Sequence, residues 1–186
     1  MTDIRVTYSG FIAFVVGIAS AITGLIFTII VTRKLDPQEL GTWTLIGSLV
    51  SYVVIAEPII SYWTSRQIAR GDKVGKTAFL TSGVFSIIAF FCYIVIAIFL
   101  KNLINIDTNS ALLASILIPL TYLSNTLSGI SLGHKPHAIS FGMVGFELSK
   151  LPLGFALVYV GHFGLFGAIL ATIVATFVKL LILLEL

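Results

Sequence analysis

The chain has 186 residues, of which 58% are hydrophobic and 10% are charged, and its mean hydropathy is +1.08. A soluble domain is typically about 45–50% apolar and about 25% charged, so this composition excludes a soluble enzyme, a secreted disulfide scaffold and a nucleic-acid-binding domain. The formal net charge of +3 does not make nucleic acid a partner, because the basic residues are separated by apolar runs and do not form one basic face.

Six apolar segments follow one another along the sequence, each long enough to cross a bilayer at about 20 residues per helix. In chain order they are Tyr8–Val31, Thr42–Trp63, Thr77–Leu100, Ser110–Leu132, Ala138–Val160 and the segment from Gly164 to the C-terminus. Their connections are short and contain no linker or globular insertion. The sequence therefore predicts an all-α, polytopic membrane helix bundle of about six transmembrane helices, in a single domain over residues 1–186.

The start of the second helix is marked by Asp36-Pro37-Gln38-Glu39. Aspartate is a preferred N-cap residue, proline suits the first helical position, and an acid at the third position favours a helix N-terminus. Trp43, Tyr62 and Trp63 fall near the ends of this segment, where amphipathic rings prefer the headgroup region of the membrane. These features predict a helix that begins at Pro37 and carries interfacial rings at both ends.

Lysine and arginine in the short loops predict the orientation of the chain, because cytoplasmic loops carry the excess of basic residues. With the N-terminus inside, the cytoplasmic basic residues are Arg5, Arg66, Arg70, Lys73, Lys76 and Lys135, and the outer ones are Arg33, Lys34 and Lys101. The loop before the sixth segment contains His162 and no lysine or arginine, which suits the outer side. We therefore expect a cytoplasmic N-terminus in the cell membrane.

Small residues recur along two of the apolar segments. The first segment carries Gly10, Gly17 and Gly24, and the sixth carries Gly167, Ala171 and Ala175. Such stripes let helix backbones approach closely in lipid, where van der Waals packing replaces the hydrophobic drive. We expect these faces to pack inside the bundle, with dimerisation through them as the alternative.

Four ionisable residues lie inside apolar segments: Glu57, Glu147, Lys150 and Lys179. Each costs a few kcal/mol at the bilayer centre, so each should face the bundle interior or a hydrated cavity. Glu147 and Lys150 are three residues apart on one helix and are either a structural, self-neutralising pair or a functional one. Lys179 can also extend towards a nearby helix end, whereas Glu57 must be protonated, paired across helices or hydrated.

Three segments also carry an internal proline. Pro58, Pro119 and Pro152 are predicted to free the carbonyls of Val54, Ser115 and Leu148, respectively. Glu57 directly precedes one of these prolines and Lys150 lies two residues before another. A kink beside a buried charge is a way to shape a polar cavity at membrane depth, although bundle geometry alone also explains the kinks.

Two stretches of the sequence partly match known motifs, a phosphate-binding loop and a zinc site, but neither match is complete. The segment Gly71–Thr77 resembles the end of a phosphate-binding loop, but three residues separate its glycines where the motif has four. His134 and His137 have no nearby cysteine or carboxylate to complete a zinc site. We therefore expect no enzymatic activity, no cofactor and no metal.

Three stretches of the sequence form an ordered pattern: Thr32–Trp43, the basic stretch Ser65–Asp72, and Gly129–Lys135 followed by Gly164–Ala168. Together they resemble polysaccharide flippases of the multidrug/oligosaccharidyl-lipid/polysaccharide exporter superfamily. Thr32–Trp43 is similar to the R-x-L-x-P-x-x-[FL]-G-x-[WY] stretch of those proteins, and Ser65–Asp72 to the basic loop between their second and third helices. Gly129–Lys135, followed by Gly164–Ala168, is similar to their fourth-to-sixth helix pattern. The similarity runs over nearly the whole chain, in order and spacing.

This resemblance implies a transporter of lipid-linked oligosaccharides, built from two six-helix lobes around a central cavity and working by alternating access. Family members have about twelve or more helices, so the chain is expected to correspond to the N-terminal lobe of a longer transporter. Its partners would be membrane lipid, a lipid-linked glycan, and a second lobe or a second copy. The first segment lacks the deep arginine that some lipid-diphosphate flippases carry.

The resemblance also implies roles for the four intramembrane charges. Lys150, and next Lys179, would bind an anionic head group, while Glu147 and Glu57 would provide charge compensation or ion coupling. In a cation-coupled drug exporter of the same superfamily, Glu57 and Glu147 would instead bind cationic substrates. A third alternative is a non-transporting membrane scaffold.

Overall fold

The computed structural model describes residues 6–104 and 107–185, and every regular element in this part of the chain is a helix. In order these are α1 (Val6–Thr32), α2 (Pro37–Val53), α3 (Glu57–Ala69), α4 (Gly75–Ile104), α5 (Thr108–Ala114), α6 (Leu117–His134), α7 (His137–Gly154), a π-helical segment (Phe155–Val160) and α8 (Gly164–Glu185). The predicted all-α class is confirmed. Arg5, counted above among the cytoplasmic residues, lies outside the described residues.

Five helical stretches are long and apolar enough to cross a membrane: Gly10–Thr32, Gly75–Lys101, Thr108–His134, His137–Val160 and Gly164–Glu185. The helices α2 and α3 meet the same criteria only together, and they are bent by 47° at the break between them. Counting this pair as one span gives six. The chain is therefore a multi-pass membrane protein whose second predicted segment is a broken helix.

The predicted start signal of α2 is confirmed. Pro37 is the first residue of the helix, and the backbone N–H of Asp36 donates to the carboxylate of Glu39 over 3.3 Å. Trp43, which we expected at the headgroup level, is half-buried and packs on Phe27 of α1, with 6.3 Å between the ring centroids. Trp63, in contrast, is exposed.

At the break between α2 and α3, the position of Pro58 predicts a Val54 carbonyl without a hydrogen bond, but this carbonyl has one. Pro58 lies in the first turn of α3, where proline is tolerated. The backbone N–H of Glu57 donates to the Val54 carbonyl over 2.9 Å, and the Tyr122 hydroxyl donates to the Val53 carbonyl over 3.2 Å. A tighter turn and a tyrosine on another helix therefore satisfy the backbone at the bend.

The other two prolines shape their helices differently. The break between α5 and α6 precedes Pro119, and the Ser115 carbonyl accepts from the N–H of Ile118 over 3.2 Å. Pro152 lies inside α7, which continues as the π-helical segment three residues later. The expectation of a free Ser115 carbonyl is therefore wrong, because the same short turn that occurs before α3 is used again here.

The central helices of the bundle are α6 and α8. The first packs against α3, α4 and α8, and the second packs against α5, α6 and α7, while α1 lies on α7. Large side chains buried at these contacts include Tyr93, Ile118, Tyr122 and Ile169. Hydroxyls join α4 to α6: Thr126 donates to the Ser82 hydroxyl over 2.8 Å, and that hydroxyl donates to a carbonyl of α6.

The two predicted small-residue stripes behave differently. Gly167, Ala171 and Ala175 are all buried where α8 packs on the bundle. A Cβ atom added at Gly10, Gly17 or Gly24 would meet nothing within 4 Å in the described chain. The expectation that the α1 stripe packs inside the bundle is therefore wrong for the exposed Gly10 and Gly17, whereas half-buried Gly24 lines a cavity between the helices. The face of Ser20 and Thr23 makes the contact of α1 with α7.

Two glycines of α6, Gly129 and Gly133, make the close helix contact that the glycines of α1 do not make. At Gly129 of α6 an added Cβ would lie 2.6 Å from the Ser61 carbonyl oxygen of α3. At Gly133, one turn further, it would lie 2.5 Å from the Ile68 side chain. This small-xxx-small spacing is typical of close helix pairs in membranes, and it positions α3 directly on α6.

The α1–α2 and α7–α8 connections lie at the same end of the bundle. The ammonium of Lys34 is 4.2 Å from the centroid of the Tyr159 ring. Gly164 has a φ of +53°, and a Cβ there would lie 2.7 Å from a carboxylate oxygen of Glu39. The positive φ therefore favours glycine at this position, whereas the Glu39 carboxylate, at the end of a flexible side chain, can move aside.

Candidate functional site: two charge clusters inside the bundle

The predicted pair on α7 forms a salt bridge. The ammonium of Lys150 lies 2.8 Å from Oε2 of Glu147. From α1, the Ser20 hydroxyl donates to Oε1 over 2.6 Å and the Thr23 hydroxyl donates to Oε2 over 2.8 Å. Both carboxylate oxygens therefore have donors, and the pair ties α7 to α1.

Lys150 is enclosed by aromatic rings as well as by its carboxylate. Its ammonium lies 4.5 Å from the ring centroid of Phe146 and 5.6 Å from that of Phe27. Such cation–π contacts stabilise an ammonium more strongly when it is desolvated, and Lys150 is buried. The residue also lines a cavity of about 360 Å³ between α1, α2, α6, α7 and α8.

The second cluster joins α3, α6 and α8 through Asn125. The amide nitrogen of Asn125 donates to Oε2 of Glu57 over 3.0 Å, and its Oδ1 accepts from the ammonium of Lys179 at 3.5 Å. Glu57 is thus connected to Lys179 by one neutral side chain. Lys179 points to this interior amide, so the alternative in which it extends only towards a helix end is wrong.

One oxygen of this cluster has no hydrogen bond of ordinary geometry among the described residues, and the Ser61 hydroxyl is the neighbouring donor. This oxygen is Oε1 of Glu57, a residue that is 2% exposed. Buried polar atoms are nearly always bonded, so such an atom calls for an explanation. Glu57 lines a cavity of about 420 Å³ with the hydroxyl-bearing residues Ser61, Ser65 and Ser128. This oxygen can accept a bond from a ligand or bind a proton or another cation.

The two clusters lie along one run of cavities. A cavity of about 330 Å³ is lined by Asn125 and Lys179. It shares Phe146 and Thr172 with the Lys150 cavity and shares Asn125 with the Glu57 cavity. Three further hydroxyl side chains line it, those of Thr121, Ser124 and Thr176. Three neighbouring cavities therefore bring hydroxyls and charged groups together within linings that are otherwise mostly apolar.

Three residues of these clusters were not singled out as site residues from the sequence: Ser20, Thr23 and Asn125. Each is a polar side chain in an apolar helix, and such residues hydrogen-bond across helices in membranes. That signal marks them as interior-facing, but it does not identify their partners, because the partners lie on other helices. Within the described part of the chain, no group of three or more histidine, cysteine, aspartate or glutamate residues is arranged to hold a metal ion.

No protein-family model matches this chain, and comparisons with curated proteins and with solved structures return no match. The resemblance to polysaccharide flippases therefore depends on the sequence stretches described above. Beyond that resemblance, function must be argued from the geometry of the two clusters.

Proposed function

We propose that this chain is one lobe of a transporter that moves a lipid-linked oligosaccharide or polysaccharide across the cell membrane. The observation that carries the proposal is the run of cavities that joins two charge clusters inside the bundle. Ionisable residues at membrane depth are costly and commonly mark substrate or ion pathways. The resemblance to flippases supports the same class of substrate.

The chemistry of the cavities suits a glycan attached to an anionic group. Lys150 and Lys179 provide cations, and the threonine and serine hydroxyls between them can bond sugar hydroxyls. An incoming anion can take the place of Glu147 at Lys150, because the hydroxyls of Ser20 and Thr23 continue to donate to the carboxylate. Lys179 is bonded to a neutral amide and can accept an anion without losing an ionic partner.

Glu57 is the proposed coupling residue. A proton or metal cation bound at its buried Oε1 would reduce the negative charge that holds Asn125, and Asn125 in turn holds Lys179. Ion binding at Glu57 would therefore change how available Lys179 is to the substrate. In this scheme the chain acts with a second lobe or a second copy, and it has a cytoplasmic N-terminus.

Complementation tests this proposal. In the host organism, deletion of the gene should abolish a surface polysaccharide, and the unchanged gene should restore it. The variants Lys150→Ala and Lys179→Ala should restore less than about a tenth of it, because an anionic head group then lacks its cation. Lys101→Ala, which removes an exposed lysine at the end of α4, is the matched control and should restore it fully. A normal amount of polysaccharide in the Lys150→Ala strain, at a normal level of the protein, would contradict the proposal.

A cation-coupled drug exporter is the second candidate, favoured by the buried carboxylate oxygen of Glu57 in a cavity that also contains Tyr62. A cationic amphiphile would place its charge on that oxygen and its rings on the tyrosine. The same strains distinguish the two functions. Drug hypersensitivity of the deletion strain without loss of polysaccharide, rescued by Lys150→Ala but not by Glu57→Gln, would favour the exporter.

A further inference from the structure

One face of the bent helix pair α2–α3 changes from apolar to cationic along its length. Three large side chains on it, Tyr52, Ile55 and Ile59, are each more than 70% exposed. Exposed Tyr62 and Trp63 follow, and Arg66 and Arg70 come last. Within α3 and its C-cap, Ile59, Tyr62, Arg66 and Arg70 are three or four residues apart, which places them on one side of the helix. Tyr52, near the end of α2, and Ile55, in the bend, precede them along the chain.

The cationic end of this face is a groove of about 650 Å³. The guanidinium of Arg66 lies 6.0 Å from the Tyr62 ring centroid, and that of Arg70 donates to the amide oxygen of Gln67 over 3.3 Å. Within the described residues, neither guanidinium forms a salt bridge to a carboxylate. Both arginines therefore keep a full positive charge with neutral partners, at the rim of the membrane.

We propose that this face binds one anionic phospholipid, with its phosphate between Arg66 and Arg70. Guanidinium groups form paired hydrogen bonds with phosphate oxygens. The rings of Tyr62 and Trp63 then lie at the glycerol level, where aromatic residues are enriched, and an acyl chain lies along Tyr52, Ile55 and Ile59.

The dimensions of the face fit a single lipid. Ile59 and Arg66 are seven residues apart, or about 10 Å along a helix. One headgroup layer is about 5–8 Å thick, so a chain packed at Ile59 places its phosphate within reach of Arg66. Lys73 follows in the next connection and Lys76 in the first turn of α4. Between positions 66 and 76 there are thus four basic residues and one acid, Asp72. Such basic clusters attract anionic lipid.

The groove also adjoins the polar interior. Pro58 and Tyr62 line both the groove and the cavity of Glu57. A phosphate head group held by Arg66 therefore lies beside the end of the cavity run that contains Glu57 and Asn125. The lipid site does not depend on the proposed transport function, since it requires only the exposed face and its two arginines.

Tryptophan fluorescence tests the lipid site. The chain has two tryptophans, so Trp43→Phe leaves Trp63 as the reporter inside the groove. The protein is reconstituted in phosphatidylcholine vesicles that contain a small fraction of brominated phosphatidylglycerol or brominated phosphatidylcholine. The anionic quencher should be at least threefold more effective than the zwitterionic one. With Trp63→Phe, the remaining Trp43, which is half-buried against α1, should show no such preference.

Charge-matched variants decide the outcome. Arg66→Gln with Arg70→Gln should remove the preference, whereas Arg33→Gln with Lys101→Gln removes the same charge elsewhere and should retain it. If the protein with Arg66→Gln and Arg70→Gln does not fold, salt provides the test. About 1 M salt, at which the Debye length is about 3 Å, should remove the lipid preference of the Trp43→Phe protein. Equal quenching by both lipids, or a preference that survives loss of both arginines or high salt, would overturn the site.

Discussion

Glu147 and Lys150 illustrate how one buried ion pair depends on neighbours from another helix. Their side chains are each 10% exposed, so both charges are largely removed from water. Removing one partner of such a pair costs about 3–5 kcal/mol, because the other charge stays buried, whereas replacing both costs much less. Two hydroxyl donors, Ser20 and Thr23, reduce this cost on the acidic side. On the basic side the weaker contacts with the Phe146 and Phe27 rings reduce it by less.

This asymmetry predicts the outcome of a double-mutant cycle. Glu147→Gln should lower the free energy of unfolding by about 3 kcal/mol, because Lys150 loses its counter-ion. Lys150→Met should lower it by less, since two hydroxyl donors remain on the carboxylate. The double variant should be more stable than Glu147→Gln alone. The free energy is measured by SDS titration of the purified protein, and additive effects of the two changes would contradict the coupling.

The residue-level predictions from the sequence succeeded where the contact is local. The spacing of Glu147 and Lys150 already predicts their contact, because residues three apart on a helix are neighbours. The second cluster joins Glu57 to Asn125, 68 positions away in the chain, and Asn125 to Lys179, 54 positions away. No periodicity within one helix carries that information, so the burial of Glu57 could be predicted but its partners could not.

At the scale of elements, the contact between α3 and α6 depends on two glycines. Close backbone approach in a membrane requires small residues at the contact, and Gly129 and Gly133 provide them. The stripe on α1 has the same composition but contacts nothing in the described chain. Residue type and spacing identify faces that allow close packing, whereas the arrangement of the other helices decides which of those faces is used.

Two alanine substitutions distinguish these glycines. Gly129→Ala places a methyl group 2.6 Å from the Ser61 carbonyl oxygen, and such overpacking typically costs about 1–3 kcal/mol. Gly17→Ala adds the same atoms where nothing lies within 4 Å, and alanine favours a helix over glycine by about 1 kcal/mol. Unfolding in SDS should show a loss for the first and no loss for the second. Equal destabilisation by both would refute the close contact.

The sequence predicts the position of the bend between α2 and α3 but not the hydrogen bonds that the backbone forms there. Pro58 indicates an interruption near Val54, and the structure has it there. The short turn that occupies the Val54 carbonyl, and the Tyr122 hydroxyl that occupies the carbonyl of Val53, depend on geometry that forms only when α3 reaches α6. The same limit applies to Ser115 before α6.

At the scale of the whole molecule, the bent pair α2–α3 sets the topology. Taken as one span, it gives six crossings and places the α1–α2 and α3–α4 connections on opposite sides of the membrane. Taken as a re-entrant loop, it gives five crossings and places both connections on the same side. Because cytoplasmic loops are rich in basic residues, Arg66, Arg70 and Lys73 place the α3–α4 connection inside in both arrangements. The side of the α1–α2 connection therefore distinguishes them.

Cysteine labelling separates the two topologies. The chain has one cysteine, Cys92, so Cys92→Ser provides a background without thiols. A membrane-impermeant thiol reagent added to intact cells should label Arg33→Cys, in the α1–α2 connection, and should label Lys73→Cys only after permeabilisation. Labelling of both sites in intact cells, or of neither site before permeabilisation, would indicate a re-entrant pair.

Each charge cluster contains one acid and one base, and this has an electrical consequence. Glu147 is matched by Lys150, and Glu57 is matched through Asn125 by Lys179. A proton that moves between acid and base within a cluster leaves its total charge at zero. The membrane potential does work on a displaced charge, about 2.3 kcal/mol per elementary charge per 100 mV. When a neutral pair moves through the field as one body, the work on the acid and the work on the base cancel. Rigid movement of either cluster therefore adds no voltage dependence of its own.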